Sequence, residues 1–159
     1  MSKTTISANI AAHSINEQGD EVISILCTFP RIILPEINTH RVLSKSTSSS
    51  RAVPFKRMLE VVQNDPFIPM AWQKNHKGMQ GTEYFNEKED IDYVIGTWLH
   101  ARDGVIQEAK IMNSAALGVT KQLCNRLLEP FMWTTMLITG SREGWDNFHS
   151  LRNPIYEID

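Results

Sequence analysis

The sequence predicts a single α/β domain. Residues 22–29 have the apolar make-up of a buried strand, residues 134–139 that of a buried strand or a short helix, and residues 55–62, 91–99, 105–123 and 141–151 space their apolar side chains as helices do. A chain of 159 residues is long enough for one substantial core. Apolar residues make up 42% of it and charged residues 21%, the balance of a folded protein rather than a disordered tail. The formal net charge of −2 gives the average surface no strong pull on nucleic acid or an anionic membrane, so neither is an expected partner. No run approaches the roughly 18 apolar residues of a membrane span, and the N-terminus lacks the apolar centre of a secretory leader. The expected location is the cytoplasm.

Residues 1–20 are polar and are expected to be flexible, with a turn at Gly19-Asp20. The strand at 22–29 stops at Pro30. A short apolar piece, 31–34, is broken by Pro35, and 36–41 opens a helix or an extended turn. Residues 44–50 hold Ser, Lys, Ser, Thr and three more Ser, which form no core and read as a loop. Pro54 suits the first turn of an amphipathic helix carrying Phe55, Met58, Leu59 and Val62, ended by Asn64-Asp65-Pro66.

Residues 66–88 form a long irregular excursion, interrupted by Pro66, Pro69, Gly78 and Gly81 and pinned by Phe67, Trp72, Met79, Tyr84 and Phe85. A loop of this length covers something or crosses to a partner subunit. Ile91, Val94, Ile95, Trp98 and Leu99 mark a helix capped by Asp90 and ended by Gly104. A second helix then runs through Val105, Ala109, Met112, Ala116, Val119 and Leu123, with Ala115, Ala116 and Gly118 suited to close packing. Residues 134–139 make a buried strand or a short helix, and Gly140-Ser141 start a last helix bearing Trp145, Phe148, Leu151 and Arg152. Cys27 and Cys124 are expected as reduced, mostly buried thiols, and the five histidines do not stand at ligand spacings to them, so no metal site is predicted.

The chemistry concentrates at the serine-rich run. Arg41 and Arg51 bracket it, and His40 and Lys45 add further positive charge. A phosphate needs fixed cationic donors and several short hydroxyl or backbone donors, a combination that residues 44–51 supply within one turn. The sequence has no glycine-rich dinucleotide loop and no Walker-type lysine loop, which disfavours a Rossmann enzyme or a nucleoside triphosphatase. It also lacks G-x-S-x-G, so Ser49 has no independent claim as a hydrolase nucleophile.

Thr39-His40-Arg41, Ser44, Ser49 and Arg51 resemble the signature of flavin-dependent thymidylate synthases, R-H-R-x-x-S-x-N-x-x-S-x-R. The phage-like variant is the more similar one, with T-H-R in place of R-H-R and the ending Ser49-Ser50-Arg51-Ala52-Val53-Pro54. Phe29-Pro30-Arg31 and Glu36 stand before the signature as in that family, and Gly78-Met79-Gln80 resembles a segment after it. Arg126 with Pro130 resembles the arginine and proline before a Thr-rich stretch, and Trp145, Asn147, Phe148, Leu151 and Arg152 resemble the late helix. The matches span about residues 20–152, in order.

The resemblance implies an α/β domain with a central mixed or antiparallel sheet flanked by helices, assembled as a homotetramer with active sites between subunits. It implies an enzyme that converts dUMP to dTMP using FAD, NADPH as reductant and methylenetetrahydrofolate as one-carbon donor. Carried over by residue, His40, Arg41, Ser44, Ser46 and Thr47 contact the flavin. Ser49, Arg51 and Arg126 hold dUMP, and Arg41 and Arg152 act catalytically beside the pyrimidine. Two departures stand out. Ser46 and Thr47 occupy positions where the family has Asn and often Glu or a small residue, and residues 153–159 replace the family's continuing alanine-glutamine segment. The second departure marks the chain as C-terminally incomplete: a fragment, one half completed by another chain, or a degenerate relative that binds nucleotide or serves in assembly without catalysis. If phage-encoded, it works in the host cytoplasm.

Overall fold

The structure is a computed structural model and describes residues 3–78 and 81–153. Met79 and Gln80 of the expected family-like segment, and the C-terminal residues 154–159, lie outside the described residues. The chain divides into two compact units, residues 1–53 with 132–159, and residues 54–131.

The first unit is built on a four-stranded antiparallel sheet of β1 (Ser7–Ile15), β2 (Glu21–Pro30), β3 (Ser44–Thr47) and β4 (Trp133–Ser141), in the order β1-β2-β4-β3. β2 and β4 form where the apolar runs predicted strands, and the ladder settles residues 134–139 as strand rather than helix. The first twenty residues, expected to be flexible, instead carry β1. Its alternation of small polar and apolar residues is too weak to announce a strand, but Asn16 closes a hairpin onto β2. The Asn16 Oδ1 accepts from the backbone N–H groups of Gln18 and Asp20 at 3.0 and 2.8 Å, and Gly19 takes φ 90°. The serine run is corrected in the same way. Residues 44–47 are β3, with Ser44 opposite Thr139 and Thr47 opposite Met136, so cross-strand pairing overrides a composition without apolar signal.

Between β2 and β3 lie a 3₁₀ turn (Arg31–Ile33) and α1 (Leu34–Asn38). Pro35 starts this helix rather than breaking the chain there, because a first-turn residue has no intrahelical use for its missing N–H. After β4 comes the fifth α-helix, α5 (Arg142–Ser150). Ser141 caps α5, its hydroxyl accepting from Gly144 N–H at 3.2 Å. The helix lies on one sheet face, where Phe29, Leu43, Met136, Ile138 and Trp145 are buried together, with Ile23, Ile25, Leu34, Ile37 and Phe148 packed around them. Trp145 also donates its indole N–H to the Ile23 carbonyl at 3.1 Å, which fixes the helix against β2. Half-buried Cys27 joins this layer, and burial raises its thiol pKa.

The second unit holds α2 (Phe55–Asn64), α3 (Lys88–Met112) and α4 (Lys121–Leu127), with α4 packed on both α2 and α3. Met58 and Val62 are the buried stripe of α2. The irregular segment before α3 is tied by Phe67 N–H to the Phe131 carbonyl at 2.9 Å, and Trp98 meets the rings of Phe67, Trp72 and Phe131. Gly104 does not end a helix: α3 runs through it to Met112, and the expected second helix is instead the tail of α3, a turn, and α4. One exposed glycine costs about 1 kcal/mol, less than the packing of a 25-residue helix restores. Cys124 is buried on α4 and, like Cys27, is a free thiol.

The α/β expectation and its antiparallel, helix-flanked sheet therefore hold. Two glycines separate internal packing from helix propensity. A Cβ at Gly140 would stand 2.5 Å from Leu43 Cδ2, whereas one at Gly104 meets nothing within 4 Å. Gly140→Ala is expected to destabilise the protein by about 1–3 kcal/mol and Gly104→Ala to stabilise it by up to about 1 kcal/mol, read as opposite shifts of the urea midpoint.

Candidate functional site

The residues singled out by sequence fall into three groups in the structure. The first gathers at the end of α5. Thr39 donates its hydroxyl to the Glu36 carbonyl at 2.6 Å, and His40 N–H bonds to the Ile37 carbonyl at 3.3 Å, so α1 delivers His40 at its C-terminus. Arg152 follows α5, where Leu151, Arg152 and Asn153 bond back to the helix's last carbonyls. Its Nη2 donates to His40 Nε2 at 2.5 Å, across 112 positions of sequence. Phe148 backs the pair: its ring meets His40 edge-on at 4.8 Å, and the Arg152 guanidinium lies 5.9 Å from the ring centroid. Lys45 on β3 donates its ammonium to the His40 carbonyl. Arg41 comes next in the chain and is exposed.

This geometry favours the neutral form of His40. A guanidinium only donates, so Nε2 is the acceptor and the neutral ring carries its proton on Nδ1. Partial burial, then the charges of Arg152 and Lys45, push the imidazole below its ordinary pKa.

The second group is the turn after β3. Ser49 Oγ accepts from Arg51 N–H at 3.2 Å and the Ser49 carbonyl from Ala52 N–H at 2.9 Å, which folds residues 49–52 tightly while Ser49 and Arg51 remain exposed. Ser44 and Ser46, opposite Thr139 and Leu137, share their sheet face and point away from the layer of Met136 and Ile138. Thr47 does not present a free hydroxyl. Its Oγ1 donates to the Thr135 carbonyl at 2.8 Å and meets Thr134 Oγ1 at 3.0 Å.

The third is Arg126 alone, exposed in the last turn of α4 in the second unit beside buried Cys124 and Asn125. Composition gave no sign of two participants, Arg31 and Thr134. Arg31 Nη1 donates to the Ser48 carbonyl and to Thr134 Oγ1, both at 3.3 Å. The only sequence signal for Arg31 was its place in the Phe-Pro-Arg match. Among the described residues no group of three or more His, Cys, Asp or Glu is gathered for a metal ion, and no helix is long and apolar enough to cross a membrane.

Exposed arginines, short hydroxyls and an imidazole held neutral make a donor set for anionic, oxygen-rich ligands. No protein-family model matches the sequence, and no curated protein does. Solved structures do match by fold. The chain is similar to the UMP/dUMP methylase PolB from Streptomyces cacaoi bound with 5-Br dUMP, at a TM-score of 0.70 and 12% identity, over 94% of this chain and 79% of that one. The same methylase bound with 5-Br UMP matches at a TM-score of 0.70 and 13% identity, over 93% of this chain and 76% of that one. At such identity the likeness establishes a common fold.

His40 gives a pH-dependent test. Its lowered folded pKa means that the unfolded chain binds the proton more readily, so its contribution to stability is complete above the ordinary value and disappears as pH falls through the lowered one. In an NMR titration the His40 ring should show a midpoint below about 6.5, and Arg152→Met should move it upward.

Proposed function

We propose that the chain is a flavin-dependent thymidylate synthase, converting dUMP to dTMP with FAD, NADPH as reductant and methylenetetrahydrofolate as one-carbon donor. The observation that carries this reading is the His40–Arg152 hydrogen bond. It joins two segments, each matched separately to the family's signature and late helix, and they meet in a chain that shares the fold of a UMP/dUMP methylase.

The residues present suit the groups the reaction requires. Ser49 and Arg51 offer a compact hydroxyl, turn backbone and a guanidinium fork to dUMP. His40, Arg41, Ser44 and Ser46 would hold FAD, while Thr47, already engaged by β4, keeps β3 in register beside them. When bound, the flavin supplies the hydride chemistry that side chains cannot. Arg41 and Arg152 stabilise negative charge developing on the pyrimidine. Neutral His40 orients the Arg152 guanidinium by accepting from it, so protonating the ring removes that acceptor and sets two positive charges against each other. No protein thiol enters this scheme, in keeping with two cysteines placed in packing layers. The reading carries with it a cytoplasmic homotetramer.

The test is dTMP formation by the full chain supplied with FAD, NADPH, methylenetetrahydrofolate and dUMP, with UMP as the competing substrate. Arg51→Ala should raise the KM for dUMP roughly 10- to 100-fold through one lost charged hydrogen bond, and Arg152→Ala should lower kcat roughly 100-fold or more. Absence of dTMP would reject the enzyme in favour of a non-catalytic relative.

A further inference from the structure

We propose that Arg31 is the positioning residue of the Ser49–Arg51 turn, clamping the serine segment to β4 where the strand ladder runs out. This rests on reading that turn as part of the nucleotide site.

β3 pairs with β4 only from Ser44 to Thr47, so the next peptide, Ser48, has passed beyond the ladder. A carbonyl leaving a sheet needs another donor, and Arg31 supplies it. The Arg31 Nη1 donates at 3.3 Å to the Ser48 carbonyl and at 3.3 Å to Thr134 Oγ1. Thr134 is buried, and its hydroxyl also meets Thr47 Oγ1 at 3.0 Å, so the guanidinium, the last residue of β3 and β4 form one connected set.

Arg31 itself is firmly placed. It follows Pro30, the last residue of β2, and its N–H bonds to the Met132 carbonyl at 2.8 Å, one residue before β4 begins. The bonds within residues 49–52 set the internal shape of the turn, whereas the Arg31 clamp sets its place relative to the sheet. A planar guanidinium suits this work because one nitrogen can serve two acceptors while the rest of the group is held in its own plane. Arg31 thus acts through Ser48 on Ser49 and Arg51, with no contact to nucleotide required of it.

The experiment compares the ligand-free full chain with Arg31→Ala and Arg31→Lys by amide hydrogen exchange, followed by dUMP titration of each. Arg31→Ala should speed exchange at the Arg51 and Ala52 amides about tenfold, with the β2–β4 ladder amides of Leu26 and Met136 unchanged, and should weaken dUMP binding by a similar factor. Arg31→Lys should loosen the turn less, and guanidinium ion added to Arg31→Ala should restore both readouts. Unchanged exchange at residues 51 and 52, or acceleration spread evenly through the ladder, would overturn the assignment. If the wild-type chain binds no dUMP, the nucleotide reading fails, and the exchange comparison, which uses no ligand, still decides whether Arg31 positions the turn.

Discussion

Strand β4 is paired with β2 along its whole length, from Trp133 to Ser141, but with β3 over four residues only, and it passes through Ser141 directly into α5. That arrangement constrains everything around His40. The serine segment reaches the site because β3 is held on one side of β4, and Arg152 reaches it because α5 continues β4 and folds back on the sheet. β3 brings little apolar surface of its own, since its residues are Ser, Lys, Ser and Thr. Leu43, immediately before it, is buried among Phe29, Met136, Ile138 and Trp145, and such burial stabilises by roughly 2–3 kcal/mol. A net hydrogen bond contributes about 1 kcal/mol, so Leu43 and the short ladder are of comparable weight in holding the segment. Close packing at Gly140 against Leu43 belongs to the same constraint.

The site's electrostatics follow from this placement. His40 stands at the end of α1 with Arg152 and Lys45 as near neighbours. An imidazole so placed remains neutral and accepts.

The sequence made the central strands legible because residues 22–29 and 134–139 carry contiguous apolar side chains, and it made α2 and α5 legible through their buried stripes at Met58, Val62, Trp145 and Phe148. It concealed β1 and β3. Their residues are small or polar, and their strand state is imposed by the partner they pair with. Gly104 misled for the opposite reason: local preference suggests a helix end, but packing along α3 outweighs one glycine. The donors of the site were visible as residue types, and the family resemblance gathered them into one list. Which of them touch was not visible, because a pair 112 residues apart leaves no local pattern, and neither does Arg31 bonding to Ser48. The resemblance gives Thr47 a ligand role by position, and the hydrogen bond from its hydroxyl to the Thr135 carbonyl left no local pattern either.

The central claim is that the segments around His40, Arg51 and Arg152 assemble one site that takes flavin and nucleotide together. Calorimetric titration of FAD into the full chain, with and without dUMP, measures this most directly, with flavin absorbance recorded alongside. The account predicts saturable FAD binding that tightens when dUMP is present. FAD binding that is absent under both conditions would contradict it.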